Sequence, residues 1–363
     1  MINGLVKLFD VPGTVVSAEH YGAGHINDTY RIVTIAEGDR RIDYILQRIN
    51  HHIFRDVEGL MNNIVGVTEY IVKALESAGE DSSRAMRVIR AKDTGLPYVR
   101  SAEGNYYRMY NFIPDAVSIE TTATPHQFCL SGAGFGRFQK LLDGYDATKL
   151  TESIPFFHDT TVRLKNLERA VEDDVAGRRK DVAPEIDFFL SRAAYADRIV
   201  SKLKSGVIPY RVTHNDTKLN NVLIDMIEDR AVTVVDLDTV MPGSIVYDFG
   251  DSIRSGANLG AEDEKDLGKV AFSIDLFEAF CKGFLGEVGK KLVPAEIEEM
   301  AFGAILMTYE CGMRFLTDHL NGDTYFKIHR EGHNLDRART QIKMVKDMEG
   351  ALDRMNAIVR KYC

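Results

Sequence analysis

The sequence predicts an α+β fold with two lobes and a ligand cleft between them. Residues 1–113 are rich in short runs of β-branched and aromatic residues and contain one helical segment. Residues 114–363 instead carry apolar residues mainly at the spacing of amphipathic helices. One β-like segment, residues 210–240, interrupts these helices. We therefore expect an antiparallel sheet with one helix, joined to a mainly helical lobe, and the cleft of such an arrangement is a usual ligand site.

The N-terminal lobe, residues 1–113, is predicted to combine an antiparallel sheet with a single helix. The helix is predicted over residues 54–79, because apolar residues recur there at helical spacing and Gly79 suits a helix C-terminus. Residues 111–125 form a connector, in which Pro114 and Pro125 interrupt regular structure. The predicted strands are residues 13–22, 28–36, 41–49, 86–92, 98–102 and 105–113.

The C-terminal lobe, residues 114–363, is predicted to be mainly helical around the β-like segment. Thr124 is a favourable N-cap for the first helix, and Pro184 and Pro294 stand where helix starts favour proline. The predicted helices are residues 125–144, 158–174, 184–204, 266–287, 294–320 and 334–362.

Composition places the chain among globular proteins and argues against several functions. Of its 363 residues, 45% are hydrophobic and 27% are charged. The net charge of −9 argues against nucleic-acid binding, which needs a basic face. No apolar run approaches the roughly 20 residues of a membrane span, and the N-terminus does not resemble a signal peptide, so we expect a cytoplasmic protein without membrane contact. The cysteines are far apart and are expected to be reduced: Cys129, Cys281, Cys311 and Cys363.

The strongest chemical signal is the segment RVTHNDTKLNNVLID, residues 211–225. Asp216 and Asn221 have the D-x-x-x-x-N spacing of a kinase catalytic loop. In that chemistry the aspartate orients the attacking hydroxyl, and the asparagine oxygen binds Mg²⁺, a cation that prefers oxygen ligands. A third oxygen ligand, Asp236, follows the apolar strand VTVV, and Asp238 comes two residues later. Turn chemistry also favours Asp and Asn, but the conjunction with two flanking strands favours a phosphotransfer site.

A second signal lies in HYGAGHINDTY, residues 20–30, where Gly22 and Gly24 separate two strand-like runs. Glycines let a backbone approach phosphates closely, and exposed N–H groups bind anions. A strand follows, not a helix, so a hairpin covering phosphates fits better than a dinucleotide-binding turn. A plain hairpin turn would have the same residues, and the pattern gains weight because it precedes D-x-x-x-x-N in the order of a kinase.

These residues resemble those of the aminoglycoside phosphotransferase and choline kinase superfamily, whose members share the protein-kinase-like fold. More narrowly, the chain is similar to the N-acetylhexosamine 1-kinases, which make N-acetylglucosamine or N-acetylgalactosamine 1-phosphate from ATP. The resemblance spans nearly the whole chain. It rests on GAGHINDTY, LQRIN, YRMYNFI, GFGRFQKLL, IPFFHDT, THNDTKLNNVL, DLDTVMPG, VYDFGDSIRSGAN and MRFLTDHLNGDTYFKIHREGHNLDRARTQ.

The resemblance implies a role for each matching residue. Asp216 would be the catalytic base toward the anomeric hydroxyl, Asn221 and Asp236 would bind Mg²⁺, and Asp248 would support the catalytic loop. For the nucleotide it implies contacts from Gly22, Gly24, Asn27, Thr29, Gln47, Tyr110 and Phe112, with the backbone of 110–113 as the adenine hinge. For the sugar it implies His25, Asp216, Arg314 and Tyr325. The residue types alone equally fit a loop hydrogen bond for His25, an ion pair for Arg314 and core packing for Tyr325.

One position departs from the usual kinase pattern. Gln47 stands where most kinases carry the strand lysine that pairs with the α- and β-phosphates. The N-acetylhexosamine 1-kinases, which the chain resembles, also have Gln in LQRIN, so a compensating cation or a second Mg²⁺ is expected. Arg48 faces the opposite side of the strand, and the role of Glu58 on the following helix is left open.

The sequence therefore predicts an ATP- and Mg²⁺-dependent kinase of N-acetylhexosamines. The alternatives are a kinase of another small alcohol, such as a different sugar, an aminoglycoside or an amino alcohol, and a nucleotide-binding pseudokinase supported only by Gln47. A hydrolase has little support, because no G-x-S-x-G or H-E-x-x-H sequence is present. The sequence predicts no oligomeric state and no order of preference among the sugars.

Overall fold

The computed structural model describes residues 2–22, 27–119 and 124–363. Its N-terminal part is an antiparallel sheet in the order β1-β2-β3-β6-β4, with β5 paired to β6. All six predicted strand segments are present, although two of them shorten to residue pairs. The strands are β1 Thr14–His20, β2 Asp28–Ala36, β3 Arg40–Ile49, β4 Val88–Ile89, β5 Val99–Arg100 and β6 Tyr106–Asn111.

The predicted N-terminal helix is α2, Val57–Ser77. Asp56 caps its start by accepting the Gly59 N–H at 2.8 Å, and Gly79 follows its end with φ of 70°, as a helix C-terminus favours. A short helix that was not predicted, α1 at Ile2–Val6, packs in a separate apolar cluster with the sheet.

The apolar face of α2 lies in the same cluster of buried residues as the helices of the C-terminal part. Asn63 on this helix donates to the carbonyls of Thr151 (2.7 Å) and Val240 (2.9 Å) and accepts the Thr151 N–H (2.8 Å). The division into lobes at residue 113 stays a proposal, and α2 is one of the elements that pack across it.

The C-terminal part is mainly helical, as predicted. Thr124 and Gln127 form a capping box at the first of these helices, and prolines occupy the predicted starts of two others. The helices are α3 Pro125–Leu141, α4 Thr160–Asp173, α5 Ala183–Leu190, α6 Arg198–Lys204, α7 Ile245–Gly256, α8 Ile274–Val288, α9 Pro294–Leu320 and α10 His333–Tyr362.

Three differences from the predicted helices have identifiable causes. The segment predicted as one helix over 184–204 is divided into α5 and α6, where Arg192 and Tyr195 both bind Glu349 of α10, at 2.6 and 2.9 Å. Helix α8 begins late because Ser273 caps it through the Leu276 N–H. Helix α7 was not predicted, since its sequence IVYDFGDSIRSG contains two glycines, which lower helix propensity.

The β-like segment forms two small antiparallel pairs. Strands β7, Arg211–Thr213, and β10, Met241–Gly243, pair with each other, and β8, Val222–Asp225, pairs with β9, Arg230–Val234. This arrangement brings the end of β7 beside the end of β9, so that the loops after both strands meet. The catalytic-loop motif and the aspartate after VTVV lie in these two loops.

No helix in the described ranges combines the length and hydrophobicity of a membrane span. All four cysteines are free thiols, as expected from their spacing, and Cys281 is buried.

Candidate active site

The loop between β7 and β8 is supported from behind by Asp248 on α7. This carboxylate is 1% exposed and accepts the N–H groups of His214 (2.9 Å) and Asn215 (2.8 Å) and the side-chain amide of Gln139 (2.7 Å). Burial raises the pKa of Asp248, and the hydrogen bonds it accepts oppose that rise. Asp248 therefore fixes the loop backbone from a position within the core, in agreement with the supporting role that the family resemblance implied.

His214 is a second internal brace of this loop and is fully buried. Its Nε2 lies 2.9 Å from the Val235 carbonyl, and its Nδ1 accepts the Asp216 N–H at 3.3 Å. The rings of Phe135 and Phe138 enclose the imidazole. The histidine two residues before the aspartate thus connects the catalytic loop to the end of β9.

The side chains of Asp216 and Asn221 face each other across the loop. The amide nitrogen of Asn221 donates to the Asp216 carbonyl at 2.8 Å and to its Oδ2 at 3.3 Å. Lys218 contacts the other carboxylate oxygen, with Nζ 2.8 Å from Oδ1. The Asp216 side chain is 28% exposed, so a hydroxyl of a bound molecule can reach it.

Lys218 brings a positive charge directly to this carboxylate. Burial alone would lower the pKa of Lys218, but the charge and hydrogen bond of Asp216 outweigh it and raise the pKa above its ordinary value. The ammonium is therefore charged at neutral pH and stays available to neutralise negative charge near Asp216.

Asp236 occupies the loop after β9, in the left-handed conformation with φ of 60°. The adjacent Val235 N–H donates to the Asn221 carbonyl at 2.9 Å, so the two loops are held together by backbone. Burial, together with the charges of Asp238 and Asp216, raises the pKa of Asp236 to about 6. Such a crowded, buried carboxylate is stabilised in its ionised form by a cation.

The residues at the meeting point of the two loops fit a magnesium ion. No cluster of three His, Cys, Asp or Glu side chains with metal-binding geometry occurs in the described ranges, but an amide oxygen is also a ligand for this cation. The Asn221 amide nitrogen is engaged by Asp216, which leaves its oxygen for a hard cation, and Asp236 supplies a carboxylate from the loop that the Val235 N–H holds to the Asn221 backbone. Asn221 and Asp236 are therefore the residues that could hold Mg²⁺.

A polar row crosses the neighbouring face of the sheet. The Gln47 amide donates to Thr29 Oγ1 at 3.0 Å and accepts from Arg108 Nε at 3.0 Å. Arg108 is 1% exposed and pairs through Nη1 with Asp238. Asn27 also donates to Asp238, at 2.6 Å. The structure thus brings Asn27, Thr29 and Gln47 together, next to the loop that carries Asp236.

The glycine-containing loop is a hairpin connection, as predicted. Tyr21 N–H donates to the Thr29 carbonyl at 3.0 Å, and Gly22 has φ of 78°, which favours glycine. Gly24 and His25 lie outside the described residues, and their predicted roles stay predictions.

The proposed adenine hinge follows β6. The Phe112 N–H donates to the Asp43 carbonyl at 3.1 Å, so Phe112 can offer a ligand only its carbonyl through the backbone. Tyr110 is buried with its ring near the Arg108 guanidinium. The predicted roles of Tyr110 and Phe112 in binding adenine stay predictions.

Arg314 and Tyr325, predicted to contact the acceptor, line one cavity of about 360 Å³. The Arg314 guanidinium lies 5.6, 5.9 and 5.5 Å from the ring centroids of Phe157, Tyr325 and Phe326. Arg314 has no carboxylate within ion-pair distance in the part of the chain that the structure describes. Tyr325 is 70% exposed, so core packing does not explain it.

Asp318 fixes the position of Tyr325. Its carboxylate accepts three consecutive N–H groups, from Thr324 (2.9 Å), Tyr325 (2.8 Å) and Phe326 (2.9 Å). These three hydrogen bonds hold the backbone of the loop that carries Tyr325, and Asp318 itself lines the cavity.

A short chain of contacts runs from helix α9, which lines part of the cavity, to the loop that carries Asp216. Glu310 lies one helical turn before Arg314 on α9, and its carboxylate is 2.7 Å from His158 Nδ1. The other ring nitrogen of His158 is 3.4 Å from the Asn215 carbonyl, next to Asp216. These contacts connect helix α9, which carries Arg314, to the loop that carries Asp216.

Three polar residues of this region were not identified from the sequence. Lys218 could have been identified from local sequence, because it lies two residues after Asp216 within the same loop. Arg108 could not have been identified from local sequence, since only the register of β3 and β6 places it next to Gln47. Asp238 was noted beside Asp236, but its pairing with Arg108 required the fold.

This fold and this arrangement of side chains define a small-molecule phosphotransferase that uses ATP. The profile of the phosphotransferase enzyme family known as APH matches residues 17–277. The chain belongs to this family, which includes the aminoglycoside phosphotransferases and choline kinases.

Solved structures show the same kinase-like fold. An amicoumacin kinase in complex with AMP-PNP, Ca²⁺ and Ami aligns with a TM-score of 0.59 and 15% identity, covering 94% of this chain and 92% of that one. A choline kinase from Cryptosporidium parvum aligns with a TM-score of 0.57 and 12% identity, covering 99% and 98%. A spectinomycin phosphotransferase in complex with ADP and spectinomycin aligns with a TM-score of 0.56 and 13% identity, covering 97% and 98%.

Proposed function

We propose that this phosphotransferase is an N-acetylhexosamine 1-kinase, which transfers the γ-phosphoryl group of ATP to the C1 hydroxyl of N-acetylglucosamine or N-acetylgalactosamine. The observation that carries the choice of acceptor is the cavity lined by Arg314 and Tyr325, whose helix α9 is connected through Glu310 and His158 to the loop that carries Asp216. It presents arginine without a partner carboxylate, together with exposed aromatic surface. Forked guanidinium donors suit vicinal hydroxyls, and aromatic faces suit the apolar face of a sugar ring.

The same cavity argues against a cationic acceptor such as an amino alcohol. Three arginines (Arg163, Arg169 and Arg314) and two aspartates (Asp173 and Asp318) line it, so the formal positive charges of the lining outnumber the negative ones. Burial, followed by repulsion from the nearby Arg314 charge, lowers the pKa of Arg163, whereas the charges of Glu310 and Asp159 oppose this shift. A positively charged acceptor would add to this repulsion, whereas a neutral polyol would not.

The chemistry proposed is direct in-line transfer, with one proton moved by this chain. The Asp216 carboxylate accepts or orients the proton of the C1 hydroxyl, whose oxygen bonds to the γ-phosphorus as the bond to the β–γ bridging oxygen of ATP breaks. Bound at Asn221 and Asp236, Mg²⁺ would supply positive charge to the phosphates. The loop 22–29 covers the phosphates through Gly22, Asn27 and Thr29, and the segment 110–113 binds adenine.

An ADP-release assay with ATP and Mg²⁺ tests this proposal. It compares N-acetylglucosamine, N-acetylgalactosamine, glucose, choline and kanamycin, with ³¹P NMR of the product and Asp216→Asn as the inactive control. We expect turnover on the N-acetylated sugars and an anomeric phosphate in the product. Turnover confined to choline or kanamycin would remove the sugar from the proposal, and no turnover with any acceptor despite ATP binding would favour the pseudokinase.

Arg314→Met is expected to raise the acceptor KM by about 10- to 100-fold, because charged hydrogen bonds to hydroxyls are worth about 1.5–3 kcal/mol. The KM for ATP should change little. The matched control is Arg360→Met, at an exposed position in the last turn of α10, which should leave both values unchanged. Equal acceptor KM values for the two variants would show that the acceptor does not bind in this cavity.

Lys218→Met is expected to lower kcat by about 100-fold, because it removes a positive charge preorganised at the Asp216 carboxylate. Binding of ATP, measured by calorimetry, should be nearly unchanged. Lys204→Met is the control, since Lys204 is exposed at the end of α6. A Lys218→Met enzyme with normal kcat would limit this lysine to a surface role.

A further inference from the structure

The nucleotide cleft lacks the strand lysine of other kinases, yet a triphosphate brings about four negative charges that need a cation. Gln47, at that strand position, is neutral. Arg48 is 45% exposed on the side chain and lies 3.3 Å from Asp28, so it serves the other side of β3. Glu58, on the helix that follows, is exposed. Neither Arg48 nor Glu58 therefore supplies the positive charge that the phosphates need.

The sheet register places a different cation beside Gln47. Gln47 of β3 is paired directly with Arg108 of β6, and residues paired in this way project from the same face of a sheet. Arg108 Nε donates to Gln47 Oε1 at 3.0 Å, while the Gln47 amide nitrogen is held by Thr29. The glutamine therefore orients the guanidinium, which projects from the face on which a lysine at position 47 would also lie.

The burial of Arg108 shows that its charge is positioned by the fold and is not a surface feature. The residue is 1% exposed, and its Nη1 pairs with Asp238, two residues after the proposed metal ligand Asp236. Its third nitrogen, Nη2, makes no hydrogen bond to any residue in the described ranges. The guanidinium thus keeps a free donor next to the loop where the phosphates and their metal are proposed to lie.

We propose that Arg108 is the cation that binds the phosphates of the nucleotide in this chain, with Asp238 as the carboxylate that holds it. The pair replaces the lysine and helix glutamate of other kinases by residues of β6 and of the loop after β9. The inference rests on the proposed use of ATP in this cleft and does not depend on which acceptor is phosphorylated. Gln47 becomes a positioning residue, which explains why an amide is sufficient there.

The test compares ATP with adenosine, since only ATP carries phosphates. Calorimetry with Mg²⁺ present would measure both ligands on the wild type, on Arg108→Met, and on the double variant Gln47→Lys with Arg108→Met. We expect Arg108→Met to weaken ATP binding by about 10- to 100-fold and leave adenosine binding unchanged. The added lysine should restore much of the ATP affinity, because it returns the charge to the strand position used by other kinases.

Arg41→Met is the matched control on the same sheet. Arg41 is an exposed arginine of β3, and its partner Asp43 keeps a second arginine, Arg31. This variant should bind both ligands like the wild type. If Arg108→Met does not fold because Asp238 is left unpaired, Arg108→Met combined with Asp238→Asn removes both charges and serves for the same comparison.

The outcomes separate this inference from the proposed function. Unchanged ATP affinity in the Arg108 variants, or an equal loss of ATP and adenosine affinity, would overturn the role of Arg108 and indicate a purely structural ion pair. A wild-type chain that binds neither ligand would instead refute the nucleotide site itself.

Discussion

Replacing Asp216 by asparagine is expected to lower kcat by about three orders of magnitude and to leave ATP binding nearly unchanged. Asparagine has the same shape and can still accept a hydrogen bond from Lys218, so the loop should keep its structure. What is lost is the negative oxygen that orients the acceptor hydroxyl and takes its proton. Steady-state kinetics, with calorimetry for ATP, would measure the two quantities separately.

The control for this variant is Asp39→Asn, an exposed aspartate in the turn between β2 and β3. It makes the same chemical change far from the catalytic loop and should retain full activity. Near-normal turnover in Asp216→Asn would show that another group acts as the base.

Replacing Asp236 by asparagine is expected to abolish Mg²⁺-dependent turnover, because the metal loses its carboxylate ligand. Asn tolerates the left-handed conformation that Asp236 adopts with φ of 60°, so the backbone should not change. A titration of activity against Mg²⁺ concentration would measure the effect. Asp39→Asn is again the matched control, since Asp39 has φ of 56°. An unchanged Mg²⁺ dependence would place the metal elsewhere.

The stability of the same variant provides an independent test. Because burial and neighbouring carboxylates raise the pKa of Asp236 to about 6 in the folded chain, Asp236 is mostly ionised at pH 7, and without metal this ionisation lowers the stability of the folded chain. This group stabilises the folded chain only when protonated, and the benefit is lost as the pH rises through its folded pKa. We therefore expect the Tm of Asp236→Asn at pH 7, in EDTA, to equal or exceed that of the wild type.

Local sequence was sufficient for features that depend on residues close together in the chain. Asp216 and Asn221 lie in one loop, and their spacing predicted that their side chains would meet, as they do. The position of Asp236 after an apolar strand was also predictable from local sequence. The same is true of the helix starts at Thr124, Pro184 and Pro294. These signals arise from turn and cap chemistry, which acts over a few residues.

Features that depend on pairing across the fold were not predictable from one sequence. Arg108 is 61 positions from Gln47, and only the register of β3 and β6 brings them into contact. Asp318 is a similar case, because its role is to bind backbone groups of the loop that carries Tyr325. The break between α5 and α6 also has a distant cause, in the contacts of Arg192 and Tyr195 with Glu349.

Helix α2 has a mechanical consequence for the whole molecule. Helix α2 precedes residue 113 in the sequence, but its apolar face is buried among residues that follow residue 113. In addition, Asn63 of α2 donates hydrogen bonds to the carbonyls of Thr151 and Val240. A fragment ending at residue 113 would expose the apolar face of α2 to water. The fragment that follows residue 113 would lose the α2 side chains from its hydrophobic core. We therefore expect a single cooperative unfolding transition for both lobes.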